Sequence, residues 1–160
     1  MGIDGTAGGK YPNARELAKK IRQFWPQKDV KSAKPFVVCT GGEPLLQMDS
    51  TMIAALHEEG LEIAVETNGT IEAPEGIDWI CVSPKARVEL LQISGQELKL
   101  VYPQPGTEPE KYVHLDFQQF FLQPLDGPEL APNTELALQY CLAHPQWRLS
   151  LQLHKILEVR

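Results

Sequence analysis

Apolar positions along the chain fall into short runs, each ended by polar residues, glycine or proline. Phe36-Val37-Val38-Cys39 is the plainest, halted by Thr40-Gly41-Gly42-Glu43-Pro44. A run that short, stopped by a turn signal, predicts a buried strand and not a long helix. Comparable runs predict strands over 61–65, 78–82, 97–102, 120–122 and 148–153. Helical spacing predicts the other elements. Ala14, Leu17, Ala18, Ile21 and Trp25 recur with it, Asn13 caps the segment and Pro26 ends it. A second helix covers 48–60, with Met52, Ile53, Leu56 and His57 near one side and Gly60 as its C-cap. A third covers 134–143. Residues 1–11 are glycine-rich and read as a loop, 27–35 as a charged connection, and the links 70–78 and 103–119 carry little helical signal.

Strands that are apolar nearly throughout are buried on both faces, which predicts parallel strands covered by helices. The expected fold class is therefore α/β, as one domain over 1–160. Parallel strands bring their carboxyl ends to one mouth, where α/β folds bind ligands. That gathers Thr40, Gly41, Gly42, Glu43, Glu66, Thr67, Asn68, Ser83, Lys85, Lys99, Gln123 and His154. Two adjacent glycines let a ligand come close to the backbone, and Pro44 restricts Glu43 to an extended conformation. Glycine N–H and C=O groups suit an amino acid's ammonium and carboxylate. Glu, Asn and Ser suit ribose hydroxyls or an ammonium, and Gln, Thr and His suit a heterocycle edge. Taken singly, each residue also fits an ordinary solvated turn. Six strands ending alike in hydrogen-bonding groups exceed what turns require.

Composition narrows the classes. Hydrophobic content of 42% and charged content of 22% are those of a soluble globular protein. A net charge of −6 argues against a nucleic-acid partner, which needs a basic face. No apolar run reaches the roughly 18 residues of a membrane span, and no signal peptide precedes the first helix, so the cytoplasm is the expected location. Cys39, Cys81 and Cys141 stand 42 and 60 positions apart. That spacing gives neither a disulfide framework nor a metal site, and Cys39 and Cys81 read as small core residues. There is no P-loop and no G-x-G-x-x-G, which disfavours a nucleoside triphosphate or a classical dinucleotide. No Ser-His-Asp or Cys-His arrangement can be assigned from spacing.

Several motifs together resemble one family. Thr40 to Pro44, Glu66-Thr67-Asn68-Gly69-Thr70, Val82-Ser83-Pro84-Lys85, Glu97 to Tyr102, Phe121-Leu122-Gln123-Pro124 and Trp147 to Lys155 are similar, in order, to 7-carboxy-7-deazaguanine synthases of the radical S-adenosylmethionine superfamily. The resemblance implies a partial (β/α) barrel. It implies ring contraction of 6-carboxy-5,6,7,8-tetrahydropterin to 7-carboxy-7-deazaguanine with loss of ammonia, a step towards queuosine. It implies S-adenosylmethionine, a [4Fe-4S] cluster that reduces it, and Mg2+ as cofactors, a homodimer, and an electron donor such as flavodoxin. Gly41, Gly42 and Glu43 are then expected at the methionine end of S-adenosylmethionine. Glu66, Asn68 and Ser83 are expected at its amino-acid and ribose groups, and Thr40, Gln123, His154 and the C-terminal carboxylate of Arg160 at the pterin. Lys85 and Lys99 match motif positions without an assigned role.

Two departures qualify the resemblance. Leu153 stands where the family usually has Thr. The cluster requires three thiolates ending in C-x2-C, and these, with the first barrel strand, belong before residue 1. The chain is therefore expected to be a truncated form that binds no cluster and is inactive, with an exposed sheet edge prone to self-association. A cluster-free module binding a nucleoside or pterin stays open as an alternative, as does another radical activating enzyme sharing only Gly-Gly-Glu-Pro.

Overall fold

The computed structural model describes residues 8–25 and 34–158. Helix α1 (Ala14–Arg22) opens on Asn13, whose side chain accepts a hydrogen bond from the Glu16 amide at 3.0 Å. Strand β1 (Phe36–Cys39) leads through the glycine turn into a short 3-10 helix, Pro44–Leu46. Helix α2 (Ser50–Glu58) is capped by Asp49. Then follow β2 (Glu62–Thr67), β3 (Trp79–Val82), β4 (Ser94–Tyr102), β5 (Asp116–Pro124), α3 (Leu130–Ala143), β6 (Trp147–Leu149) and the short helix α4 (Leu153–Ile156).

The strands form one six-stranded sheet in sequence order, and all five neighbouring pairs are parallel. This is the expected α/β class, arranged as a partial barrel. Two apolar cores lie on its helix side. Ala18, Leu56, Ile63 and Val65 join α1 and α2 to β2. Leu98, Leu100, Leu122, Ala137 and Trp147 join α3 to β4, β5 and β6. Full burial of the valine, leucine and isoleucine side chains among them contributes about 1.5–3 kcal/mol each.

Burial on both faces is corrected. Strand side chains alternate; Ala64 and Cys81 are buried on the face away from the helices, but that face also carries Glu66, Glu97, Lys99 and Gln123. On β4, Glu97 and Lys99 flank the core residue Leu98. Glu97 accepts from the Trp79 indole at 2.8 Å, and Arg148 of β6 donates to Gln119 of β5 at 2.8 Å. The open side of the sheet is thus a mixed wall, polar over β4 to β6 and apolar at its β1 end, where Phe36 and Val38 are about half exposed.

Several boundaries also move. β2 runs on through Thr67, and β4 and β5 begin earlier, at Ser94 and Asp116, because the two pair with each other through polar positions such as Gln119. α3 begins at Leu130, with Pro132 in its first turn, where a missing N–H costs nothing. β6 stops at Leu149 and does not reach 153. Among the described residues it pairs only with β5, which ends at Pro124, without an N–H to extend the ladder. Residues 1–7, 26–33 and 159–160, including most of the glycine-rich loop, the charged connection and Arg160, lie outside the described residues.

A polar cleft at the strand tips

The parallel ladder continues one residue past several strands. Ser83 N donates to Thr67 O, Leu125 N to Tyr102 O, and Ser150 N to Leu122 O, each at 2.8 Å. These bonds keep neighbouring tips level, and the tips surround a cleft of about 580 Å³. That size is ordinary for a small-molecule site. Of the residues expected at the mouth, Thr40, Gly41, Gly42, Glu66, Asn68, Ser83, Gln123 and His154 all line it, with Thr67, Lys85 and Lys99.

Glu43 does not line the cleft. Its carboxylate accepts from Leu45 N at 3.1 Å, from the Thr67 hydroxyl at 2.7 Å and from Asn68 N at 2.9 Å. Pro44 and an extended Glu43 (φ −118°, ψ 105°) aim the side chain at this knot. The knot ties the β1 turn to the end of β2. Asn68 Oδ1 accepts from Thr70 N at 2.8 Å, which tightens the turn after β2. Gly41 and Gly42 have φ of 90° and 57°, and a Cβ on either would meet no atom within 4 Å. Their backbone is therefore open to an incoming group.

Glu66 is the one carboxylate facing the cleft among the residues lining it. Oε1 accepts from Lys99 Nζ at 2.7 Å and Oε2 from the Thr40 hydroxyl at 3.2 Å. Burial raises its pKa, but the bond and charge of Lys99, with Thr40 and Lys85, outweigh burial and hold it below the usual carboxylate range. Lys99 is held the other way: burial lowers it, Cys81, Glu66 and Glu97 raise it, and the net is upward. It stays charged. Lys85 Nζ donates to Ser83 Oγ at 3.1 Å. His154 comes from α4, past a strand that ends earlier than expected, and still reaches the cleft.

Four further liners, Val101, Ser150, Leu151 and Gln152, were not among the residues expected at the mouth. Val101 was legible: it alternates with Leu100 and Tyr102, so it shares the face of Lys99. Ser150 and Gln152 were hidden by reading 148–153 as continuous strand.

Cys39 lies on β1, Cys81 on β3 and Cys141 on α3, so no two share an element. Burial raises all three thiols, Cys81 to about 12. Among the described residues no group of three or more His, Cys, Asp or Glu could hold a metal ion. No helix among them is long and apolar enough to cross a membrane.

No protein-family model matches the chain. It is 57% identical to the 7-carboxy-7-deazaguanine synthase of Caulobacter vibrioides, over 98% of this chain and 73% of that protein. It is also 57% identical to the enzyme of the same name from Bradyrhizobium diazoefficiens, over 100% of this chain and 75% of that one. Among solved structures, QueE from Escherichia coli superposes with a TM-score of 0.58 at 26% identity, covering 86% of this chain and 61% of QueE. Identity this high over nearly every position, with the cleft motifs in order, places the chain in the 7-carboxy-7-deazaguanine synthase family.

Proposed function

We propose that the cleft is the substrate and S-adenosylmethionine site of a radical lyase that converts 6-carboxy-5,6,7,8-tetrahydropterin to 7-carboxy-7-deazaguanine in queuosine biosynthesis. The observation that carries this reading is the convergence of Thr40, Glu66, Ser83, Gln123 and His154, from five separate stretches of chain, on one cleft. Its opposite walls carry two kinds of group. The β1 and β2 side offers open glycine backbone and an ionised carboxylate, which suit an adenosyl amino acid. The β5 and α4 side offers an amide and an imidazole, which suit a flat heterocycle.

Gly41 and Gly42 hold the methionine end of the cofactor by their backbone groups, and Asn68 and Ser83 bind its amino-acid and ribose groups. Glu66 accepts donors from the same ligand, and Thr40, Gln123 and His154 orient the pterin. Glu43 acts from behind, since its carboxylate is committed to Leu45, Thr67 and Asn68. S-adenosylmethionine supplies the radical chemistry; the protein fixes the reacting atoms and excludes water. Arg160 remains proposed at the pterin as well. With this reading go a homodimer, flavodoxin as reductant and a cytoplasmic setting.

The described residues do not fit a [4Fe-4S] cluster, because the three thiols stand apart on β1, β3 and α3 and do not converge on one group. Among the described residues no cluster of three or more His, Cys, Asp or Glu forms a protein-only metal cage. That mismatch favours a second reading for the 160 residues taken alone: a cluster-free module that binds the nucleoside or the pterin.

One experiment separates the two. The quarter of the Caulobacter vibrioides relative that these residues do not span is fused to the chain, and the product is reconstituted anaerobically with iron and sulfide. The expected result is conversion of the tetrahydropterin, lost on Glu66→Gln or His154→Ala. A cluster-loaded fusion that cleaves S-adenosylmethionine but leaves the pterin untouched overturns the synthase reading. The 160 residues alone are expected to take up no stoichiometric iron.

A further inference from the structure

Two lysines line the cleft, and neither has a role in the reading above. Lys85 bonds within its own loop, to Ser83. Lys99 is different. It rises from the middle of β4, yet its ammonium pairs with Glu66 on β2, two strands away. Its stem must cross β3. The register shows what permits this: Cys81 of β3 lies between Glu66 and Glu97, so a small thiol stands where a bulky side chain would block the path. The lysine is also the deeper partner, its side chain 21% exposed against 42% for Glu66. A ligand entering the cleft meets the carboxylate first.

We propose that Lys99 is the positioning residue of the cleft: by pinning Oε1 from across β3, it fixes Oε2 of Glu66, beside the Thr40 hydroxyl, as the acceptor for the ligand's O–H or N–H donors. The inference rests on the site reading given above and deepens it. The vicinal diol of an adenosyl ribose and the amino-pyrimidine edge of a pterin share this donor chemistry, so both are tested.

The charged and titratable groups around Glu66 are Lys99 and Glu97 from β4, Cys81 from β3 and Lys85 from the loop after β3, with His154 of α4 lining the same cleft. Burial alone raises Glu66, and Lys99 is the largest influence opposing it. With Lys99 present, Glu66 stays ionised below the usual glutamate range. Without it, the carboxylate titrates at higher pH and becomes neutral sooner as pH falls.

The test has two parts, on the 160-residue chain and its Lys99→Met, Lys99→Gln and Lys99→Arg variants, each checked for folding by circular dichroism. In the first, carbon-13 NMR follows the Glu66 carboxylate through acid titration. The expected midpoint rises in both neutral variants and returns with arginine. An unmoved midpoint in a folded neutral variant overturns the proposal, whether or not any ligand binds. In the second, calorimetry measures S-adenosylhomocysteine and 6-carboxypterin against pH. For the ligand that meets Glu66, Lys99→Met is expected to weaken binding about tenfold at low pH and much less at neutral pH, and the other ligand serves as control. A loss equal at every pH overturns the proposal in favour of a merely structural lysine. Binding of neither ligand to the unaltered chain overturns the site reading, and with it the assigned ligand contact.

Discussion

Gly69 shows how tightly single residues set the cleft. It follows Asn68 with φ +79°, and a Cβ there would stand 2.4 Å from Leu90 Cδ1 and 2.8 Å from Val82 Cγ1. Leu90 can swing aside, but Val82 is fully buried in the second core. Gly69→Ala therefore meets both a backbone penalty and overpacking, together at least about 2 kcal/mol. Urea unfolding is expected to show that loss, whereas a cost within about 0.5 kcal/mol, the range of an ordinary surface substitution, would argue that the turn relaxes freely. Glu43 teaches the complementary lesson. Its place in Gly-Gly-Glu-Pro suggested a ligand contact, and its three hydrogen bonds commit it to the protein's own backbone and Thr67. Only coordinates reveal that difference, because sequence spacing fixes where a carboxylate sits and not what satisfies it.

Between elements, polar side chains do the joining that apolar packing leaves undone. Asp78, in the link before β3, accepts from the Ile63 amide of β2 at 2.8 Å and pairs with His57 of α2 at 3.1 Å. Burial raises Asp78, but the Ile63 and His57 hydrogen bonds and the His57 charge outweigh it, and the net shift is downward. A carboxylate lowered on folding stabilises the protein fully above its unfolded value of about 3.9, and that contribution disappears as pH falls through the lower folded value. The stability advantage over Asp78→Asn is expected to be constant near neutrality and to shrink below about pH 4. A pH-independent advantage in thermal unfolding would show that charge contributes nothing there. Most elements were legible because their apolar runs are short and their caps plain: Asn13 and the glycine pair mark a real helix start and a real turn. The failures share a cause. Gln119 and Ser94 belong to strands only because a parallel neighbour pairs with them, and β6 stops at the level of Leu122, two positions before Pro124 of its neighbour. Pairing between distant segments overrides local pattern.

For the whole molecule, the decisive feature is direction. All strands run the same way, so motifs up to 114 positions apart, from Thr40 to His154, meet at one end of the sheet. That convergence was legible, since it needs only parallel order. The polar inner wall was not, because the ion pair between Glu66 and Lys99 depends on a two-strand reach over a small residue. The sheet also keeps an open edge among the described residues, with Phe36 and Val38 half exposed on β1. Such an edge is a template for pairing, and concentration-dependent self-association in sedimentation is its expected sign; a monomer at high concentration would count against it. The most direct measurement of the central claim is amide shift mapping on the nitrogen-15-labelled chain, with S-adenosylmethionine and 6-carboxypterin added in turn. The cofactor is expected to move the amides of Gly41, Gly42, Asn68 and Ser83, and the pterin those of Gln123 and His154. Shifts confined to the separate, shallower groove lined by Tyr102, Pro105, Glu110 and Tyr140, or none at millimolar ligand, would contradict that claim.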